Sequence, residues 1–204
     1  MAAPIQDPRP SPPPRPTRSL RRWAWVAVLL LVLIPIDVSL IHTWRQQRRA
    51  DHVEGFIQEA ALRHGVDSAL VKAVVWRESR FHESARGGVG ELGLMQVGAL
   101  AAQEWAEAHR LTSFQHEDLL DPERNTQAGT WYLAKLLRRY AHTDHPETFA
   151  LADYNAGRVN VRRWLTGPAV TNAAAFLEVM DFPGTRAYVR AVLERRELYR
   201  QGRD

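Results

Sequence analysis

The chain has 204 residues, 45% hydrophobic and 25% charged, the balance of a globular protein with apolar side chains for one buried core and a further segment. Its formal charge of +4 is unevenly placed: residues 1–50 hold eight Arg against Asp7 and Asp37, which leaves the remaining residues at −2, so the body of the chain has no basic excess for phosphate and nucleic acid is excluded as a partner. Cysteine is absent, which excludes disulfides, thiolate metal sites, a cysteine nucleophile and an acylated-cysteine anchor.

Residues 1–22 carry seven prolines among Arg and Ser, a composition expected to stay extended and disordered. The apolar run that follows, Trp23 to Ile41, is 19 residues long. As a helix it reaches about 28 Å, roughly the thickness of a bilayer core. Trp23 and Trp25 at one end and Trp44 at the other suit the two interfaces. Five Arg precede the run and three follow, a bias that puts the N-terminus in the cytoplasm and the rest of the chain outside. Residues 23–44 therefore read as a single-pass transmembrane signal anchor in the inner (cytoplasmic) membrane. Pro35 would kink this helix, and Asp37 is tolerable only towards the interface. The alternative is a cleaved signal peptide built on Trp23–Ile36, although no A-x-A-like cleavage site follows it. Either version exports residues 45–204 as one domain.

That domain reads as mainly α. Helical spacing predicts a helix over His52–Arg63, stopped at His64-Gly65. Asp67 is placed to cap the next, Ser68–Ser79, whose apolar residues run nearly all round, the mark of a central helix. A glycine-bearing loop, GGVGELG at 87–93, offers the one candidate for a short hairpin. Further helices are expected over Leu94–His109, Asn125–His142, Pro146–Asn155, Val159–Leu165 and Thr185–Tyr199, the last with Thr185 as its N-cap.

Glu78 stands at the end of the all-apolar helix, on the face of Val71, Val74 and Val75. Apolar walls and the negative end of the helix dipole both disfavour its carboxylate, and so raise its pKa towards the value useful in a proton donor. The bland alternative is a helix-end Glu in water, or one paired with Arg77 or Arg80.

ESRF at 78–81, GELGLMQ at 90–96 and ALADYNAG at 150–157 resemble, in order and spacing, the motifs of the soluble lytic transglycosylase family. LLDPERNTQAGTWYLAKLL from Leu119, RVNVRRWL from Arg158 and DFPGTRAYVRAVL from Asp181 match more loosely, so that the resemblance covers about residues 52–200. It implies a goose-type, lysozyme-like helical fold with a long sugar cleft. It also implies that the partner is the glycan strand of peptidoglycan on the periplasmic, cell-wall side of the membrane. By the same resemblance Glu78 is the catalytic acid and base. Ser79, Gly93, Leu94, Met95, Gln96, Tyr154, Asn155 and Tyr188 are then the substrate-binding residues, and neither cofactor nor metal is implied.

Glycosidic cleavage normally takes two carboxyls. The family works with one: the acid protonates the oxygen between N-acetylmuramic acid and N-acetylglucosamine, then takes the proton of the muramic C6 hydroxyl as that hydroxyl closes a 1,6-anhydro ring. The intramolecular hydroxyl replaces an activated water. Other outcomes implied by the fold are a water-using lysozyme and a vestigial wall-binding or scaffolding subunit of an envelope-spanning machine.

Several positions depart from the family pattern. His82-Glu83 replaces Asn-Pro, Gly87 replaces Ser, Glu91 and Asp153 replace small residues, and Val97-Gly98-Ala99 lacks a proline. The three extra acids, Glu83, Glu91 and Asp153, read as solvated or as tuning a sugar subsite. HTDH at 142–145 reads as a polar helix-end loop rather than a metal site. The arginines of RRW at 162–164 and of the last helix read as solvated faces, or as contacts for acidic stem peptides.

Overall fold

The computed structural model describes Ile41 and residues 43–203. The expected tail at 1–22 and nearly all of the expected anchor at 23–44 lie outside the described residues. The chain divides between Trp44 and Arg45, and among the described residues no helix is long and apolar enough to cross a membrane. The unit from Arg45 onward is helical, and two isolated antiparallel bridges, Arg86 to Leu92 and Leu92 to Val97, are its only strand pairing among the described residues.

Helix α1 (45–64 within this unit) ends where Gly65 takes φ +65° and the Val66 N–H reaches back to the Ala61 carbonyl, a left-handed stop that glycine makes without steric cost. Asp67 Oδ1 then accepts the Ala69 N–H at 3.1 Å and starts α2 (Ser68–Ser79). Leu70, Val71, Ala73, Val74 and Val75 are buried, as a helix apolar nearly all round requires. Each fully buried valine contributes about 1.5 kcal/mol or more. An aspartate at Val74 would therefore break this helix's packing.

Helices α3 (Ala99–Ala108), α4 (Pro122–Arg139), α5 (Pro146–Ala156), α6 (Arg158–Trp164), α7 (Ala173–Val179) and α8 (Pro183–Arg200) complete the unit. Helix α8 packs on α2 and α5, and α5 also packs on α4 and α6. Beneath them Phe149 stacks on Phe176 at 4.3 Å and on Tyr140 at 5.7 Å. Short 3-10 turns at His116–Leu120 and Gly167–Val170 lead into α4 and α7.

Three expectations are corrected. Leu94–Gly98 is not helical: Gln96 has φ +47°, the buried Leu94 and Met95 are held in turns, and α3 starts only after Gly98. Thr185 does not cap α8, which begins at Pro183 after Phe182. The arginine-rich face of α8 is not simply solvated. Arg195 lies 4.3 Å over the Trp76 ring, Arg196 pairs with Glu147 at 2.7 Å, and Arg200 pairs with Asp67 at 2.8 Å. Trp164 is likewise core, its indole donating to Asp181 at 2.6 Å. Helix α7 had no clear signal. Its start is capped by Asn172, whose Oδ1 accepts the Ala175 N–H, and by Asp144 of the HTDH loop, whose carboxylate accepts the Ala173 N–H.

Candidate active site

Helix α2 stops abruptly after Ser79. Arg80 and Phe81 both take left-handed backbone angles, φ +53° and +62°, which cost energy in residues with a Cβ. Two contacts hold the turn: Phe81 is buried in the core, and the Arg80 guanidinium lies 3.7 Å over the Trp76 ring. Glu78 is thereby set at the end of a rigid buried rod, partly buried and opening into a cleft of about 640 Å³.

Glu78 lines the cleft together with residues 153–156 at the end of α5 and Gly157 just beyond. The glycine loop supplies Val89, Glu91 and Gln96, the start of α3 contributes as far as Ala101, and α4 contributes Tyr132. Val89 and Leu100 are exposed apolar side chains of this lining, 90% and 85% accessible. A second cavity of about 450 Å³ meets the first at Asn155 and continues past Arg77, Phe182 and Thr185.

Burial pushes the Glu78 carboxyl up to about 7, and the negative charge of Glu91 adds to the rise. A hydrogen bond from Tyr188 and the charge of Arg77 oppose it without cancelling it. The Tyr188 hydroxyl donates to Glu78 Oε1 at 2.6 Å from α8, while its own ring is buried and covered by the Arg77 guanidinium at 5.4 Å. Burial, and then the charge of Glu78, hold the hydroxyls of Tyr188 and Tyr154 well above the usual phenol range, so both remain donors. With Oε1 accepting from this donor, Oε2 is the oxygen better placed to hold a proton.

Sequence-predicted residues fall into two groups. Glu78, Gln96, Tyr154 and Asn155 line the cleft, and Tyr188 touches Glu78 directly. Ser79, Gly93, Leu94 and Met95 do not line it. The Ser79 hydroxyl donates back to the Val75 carbonyl at 3.1 Å. Leu94 and Met95 are fully buried. Gly93 has φ +73°, and a Cβ there would overlap the Asn125 amide and approach the Leu119 carbonyl to 2.5 Å. Ser79 thus bonds back into its own helix, while Gly93, Leu94 and Met95 shape the loop beside the cleft.

The cleft residues are themselves tied down. Gln96 Nε2 donates to the Gly93 carbonyl at 2.8 Å and the Ala85 carbonyl at 3.2 Å, not to Glu78. The Tyr154 hydroxyl donates to the Met95 carbonyl at 2.8 Å. Asn155 is exposed at the junction of the two cavities, its Oδ1 accepting the Thr185 hydroxyl at 2.8 Å.

Three further residues stand out, one of them misjudged and one missed. Asp153 is not solvated: its side chain is buried, accepting from Tyr140 at 2.7 Å and Arg139 at 2.8 Å, with Arg158 at 3.8 Å. Glu91 lines the cleft beside the acid and acts on its charge. Asn125 of α4 went unnoticed. Fully buried, it accepts the Met95 N–H at 2.8 Å and donates to the carbonyls of Leu92 at 2.8 Å and Leu119 at 2.7 Å. A polar residue within the matching Leu119 stretch was the signal that could have found it. No group of three His, Asp or Glu side chains among the described residues is gathered as a metal site would need.

The surroundings have counterparts in known proteins. The chain is 37% identical over 130 residues to membrane-bound lytic murein transglycosylase F of Desulfosudis oleivorans, covering 62% of this chain and 26% of that one. It is 32% identical over 137 residues to the soluble lytic murein transglycosylase of Escherichia coli, covering 66% and 21%. The fold superposes on an inactive mutant of lytic transglycosylase Slt from Pseudomonas aeruginosa with a TM-score of 0.65 at 29% identity, over 72% of this chain and 24% of that one. The 70 kDa soluble lytic transglycosylase of Escherichia coli superposes with a TM-score of 0.64 at 28% identity, over 73% and 24%. The chain thus spans about a quarter of the length of the relatives it matches. Residues 55–176, more than half the chain and holding Glu78, the glycine loop and Tyr154-Asn155, match the transglycosylase SLT domain, and the chain belongs to that family, with its mainly helical, lysozyme-like fold.

Proposed function

We propose that this protein is a lytic transglycosylase of peptidoglycan, cutting the β-1,4 bond between N-acetylmuramic acid and N-acetylglucosamine without water and leaving 1,6-anhydro-muramic ends. The observation that carries the reading is one carboxyl, Glu78, raised to about 7 by burial and held by a tyrosine hydroxyl at 2.6 Å in an open cleft. Near neutral pH such a group is divided between its two protonation states, which suits a residue that must give a proton and take one back.

In the first step Oε2 delivers its proton to the bridging oxygen as the C1–O bond breaks, and the departing sugar leaves with that proton. The Tyr188 hydroxyl already points at Oε1 and stabilises the carboxylate so formed. In the second step the carboxylate takes the C6 hydroxyl proton while O6 closes on C1, which returns Glu78 to its starting form. Gln96 Oε1, Asn155 and the exposed Val89 and Leu100 hold the sugars. Ser79, Gly93, Leu94, Met95 and Tyr154 hold the walls that carry them.

The Trp23–Ile41 run supports a single-pass inner-membrane anchor with the catalytic domain at 45–204 on the cell-wall side, and among relatives of this domain are proteins named membrane-bound and soluble alike. Membrane fractionation, with carbonate washing of the full chain, tests the anchor. Digestion of purified sacculi followed by mass analysis tests the reaction: muropeptides one water lighter at the muramic end are expected, and hydrated ends alone would make the protein a lysozyme instead.

A further inference from the structure

Gly87, beside the cleft residues Glu91 and Gln96, matters through what it lacks. Its backbone is not left-handed, so conformation alone does not demand glycine there. A Cβ at this position, however, would overlap Glu91 Oε2 and stand 2.8 Å from Gln96 Oε1. The two oxygens therefore converge on the space over Gly87, in a wall that faces the same cleft as Glu78.

Both are acceptors. Gln96 spends both amide protons on the Ala85 and Gly93 carbonyls, which leaves its Oε1 outward. Glu91 Oε2 accepts only the Val89 N–H at 3.2 Å, and no cation pairs with this carboxylate among the described residues. Two convergent acceptors with no donor of the protein between them repel each other and are relieved by a donor brought by a ligand. Resting on the transglycosylase reading, we infer that Glu91 is a specificity-determining residue whose carboxylate, admitted by Gly87 and paired with Gln96 Oε1, binds a hydroxyl or amide N–H of the glycan.

The same position makes Glu91 a charge on the acid. The groups that face Glu78 are Arg77 on its own helix, Tyr188 on α8, Tyr154 on α5 and Glu91 on the loop. Of these Glu91 is the one whose charge favours the protonated acid; removing it lets Glu78 ionise at lower pH, and the alkaline limb of activity moves down. A loop residue acting only through packing would leave that limb in place.

The test uses the full-length protein and solubilised glycan strands, with rates measured against substrate concentration and pH. Wild type yielding no anhydro ends would sink the transglycosylase reading itself. Given that activity, Glu91→Ala is expected to raise the half-saturating glycan concentration about tenfold, the weight of one charge-assisted hydrogen bond, and to move the alkaline limb to lower pH. Glu91→Gln, which keeps an acceptor and loses the charge, should shift the limb with a smaller rise in half-saturation. Gly87→Ala should reproduce the binding loss by displacing the carboxylate, and in the Glu91→Ala background its effect should be much smaller, because the added methyl then meets only Gln96 Oε1. Thermal unfolding confirms that each variant is folded, and the two Glu91 variants decide if Gly87→Ala is not. An unchanged half-saturation together with an unmoved limb in Glu91→Ala would overturn the inference, as would additive losses in the folded double variant.

Discussion

Glu78 and Asp153 are two carboxyls withdrawn from water in the same small domain and put to opposite uses. Asp153 on α5 meets Arg139, Arg158 and the Tyr140 hydroxyl, so its charge is matched where it lies. Burial raises the Tyr140 phenol further and the bond to Asp153 adds to that, which keeps the hydroxyl a donor. Glu78 on α2 has no such enclosure. A tyrosine and a neighbouring Arg77 only partly offset its burial, and Glu91 works against them. A buried carboxylate surrounded by cations is a tie between helices, whereas one left short of counter-charge is a proton reservoir. Position along the chain does not tell the two apart; partners do.

The widest gap should appear in turnover. Glu78→Gln preserves shape and the Tyr188 contact but cannot carry the proton, and a loss of about a thousandfold or more in anhydro-muropeptide release is expected. Persistent cleavage would place the acid elsewhere. Asp153→Ala should act on the other side of the contrast. It leaves two arginines and a phenol without their anion, and it should lower unfolding free energy in urea by about 3 kcal/mol while the surviving folded enzyme keeps its rate within a few-fold.

Glu78→Gln should also stabilise the fold at high pH. The folded state holds the Glu78 proton up to about 7, whereas an unfolded glutamate releases it near 4.5, so wild-type stability is intact below the lower value and falls as pH rises to the upper one. The variant should then be the more stable by about 2 kcal/mol at pH 8 and no different at pH 4, as read from paired melts. Tyr188→Phe is the mildest change. Loss of a bond that favours the carboxylate moves the alkaline limb of the rate upward and lowers turnover about tenfold, as a pH series on glycan strands would reveal.

What was readable in the sequence was local. The Asp67 cap, the bounds of α2 and the apolar setting of Glu78 follow from a few adjacent residues, and the structure agrees with each. The glycine loop was legible as hairpin-like, and its bridges at Leu92 bear that out. What escaped was settled by partners far along the chain. Asp153 looked solvated because Arg139 and Tyr140 belong to another helix. Leu94 looked helical because its apolar neighbours suit a helix, and only Asn125, some thirty residues later, bends that stretch into turns. Thr185 resembled a cap because hydroxyls cap helices, but α8 already begins at Pro183, so Thr185 lies inside its first turn. Residues of the three family motifs meet at one cleft; the motifs did not distinguish Gln96, which lines it, from Met95 beside it, which is buried.

Asn125 also bears on when the cleft takes shape. One side-chain amide rivets the glycine loop to the 3-10 turn and to α4, so the wall opposite Glu78 takes its shape only once those distant stretches have docked. A chain in which those stretches have not docked has Glu78 but no finished wall opposite it. On the transglycosylase reading, activity would therefore arrive only with the finished tertiary structure.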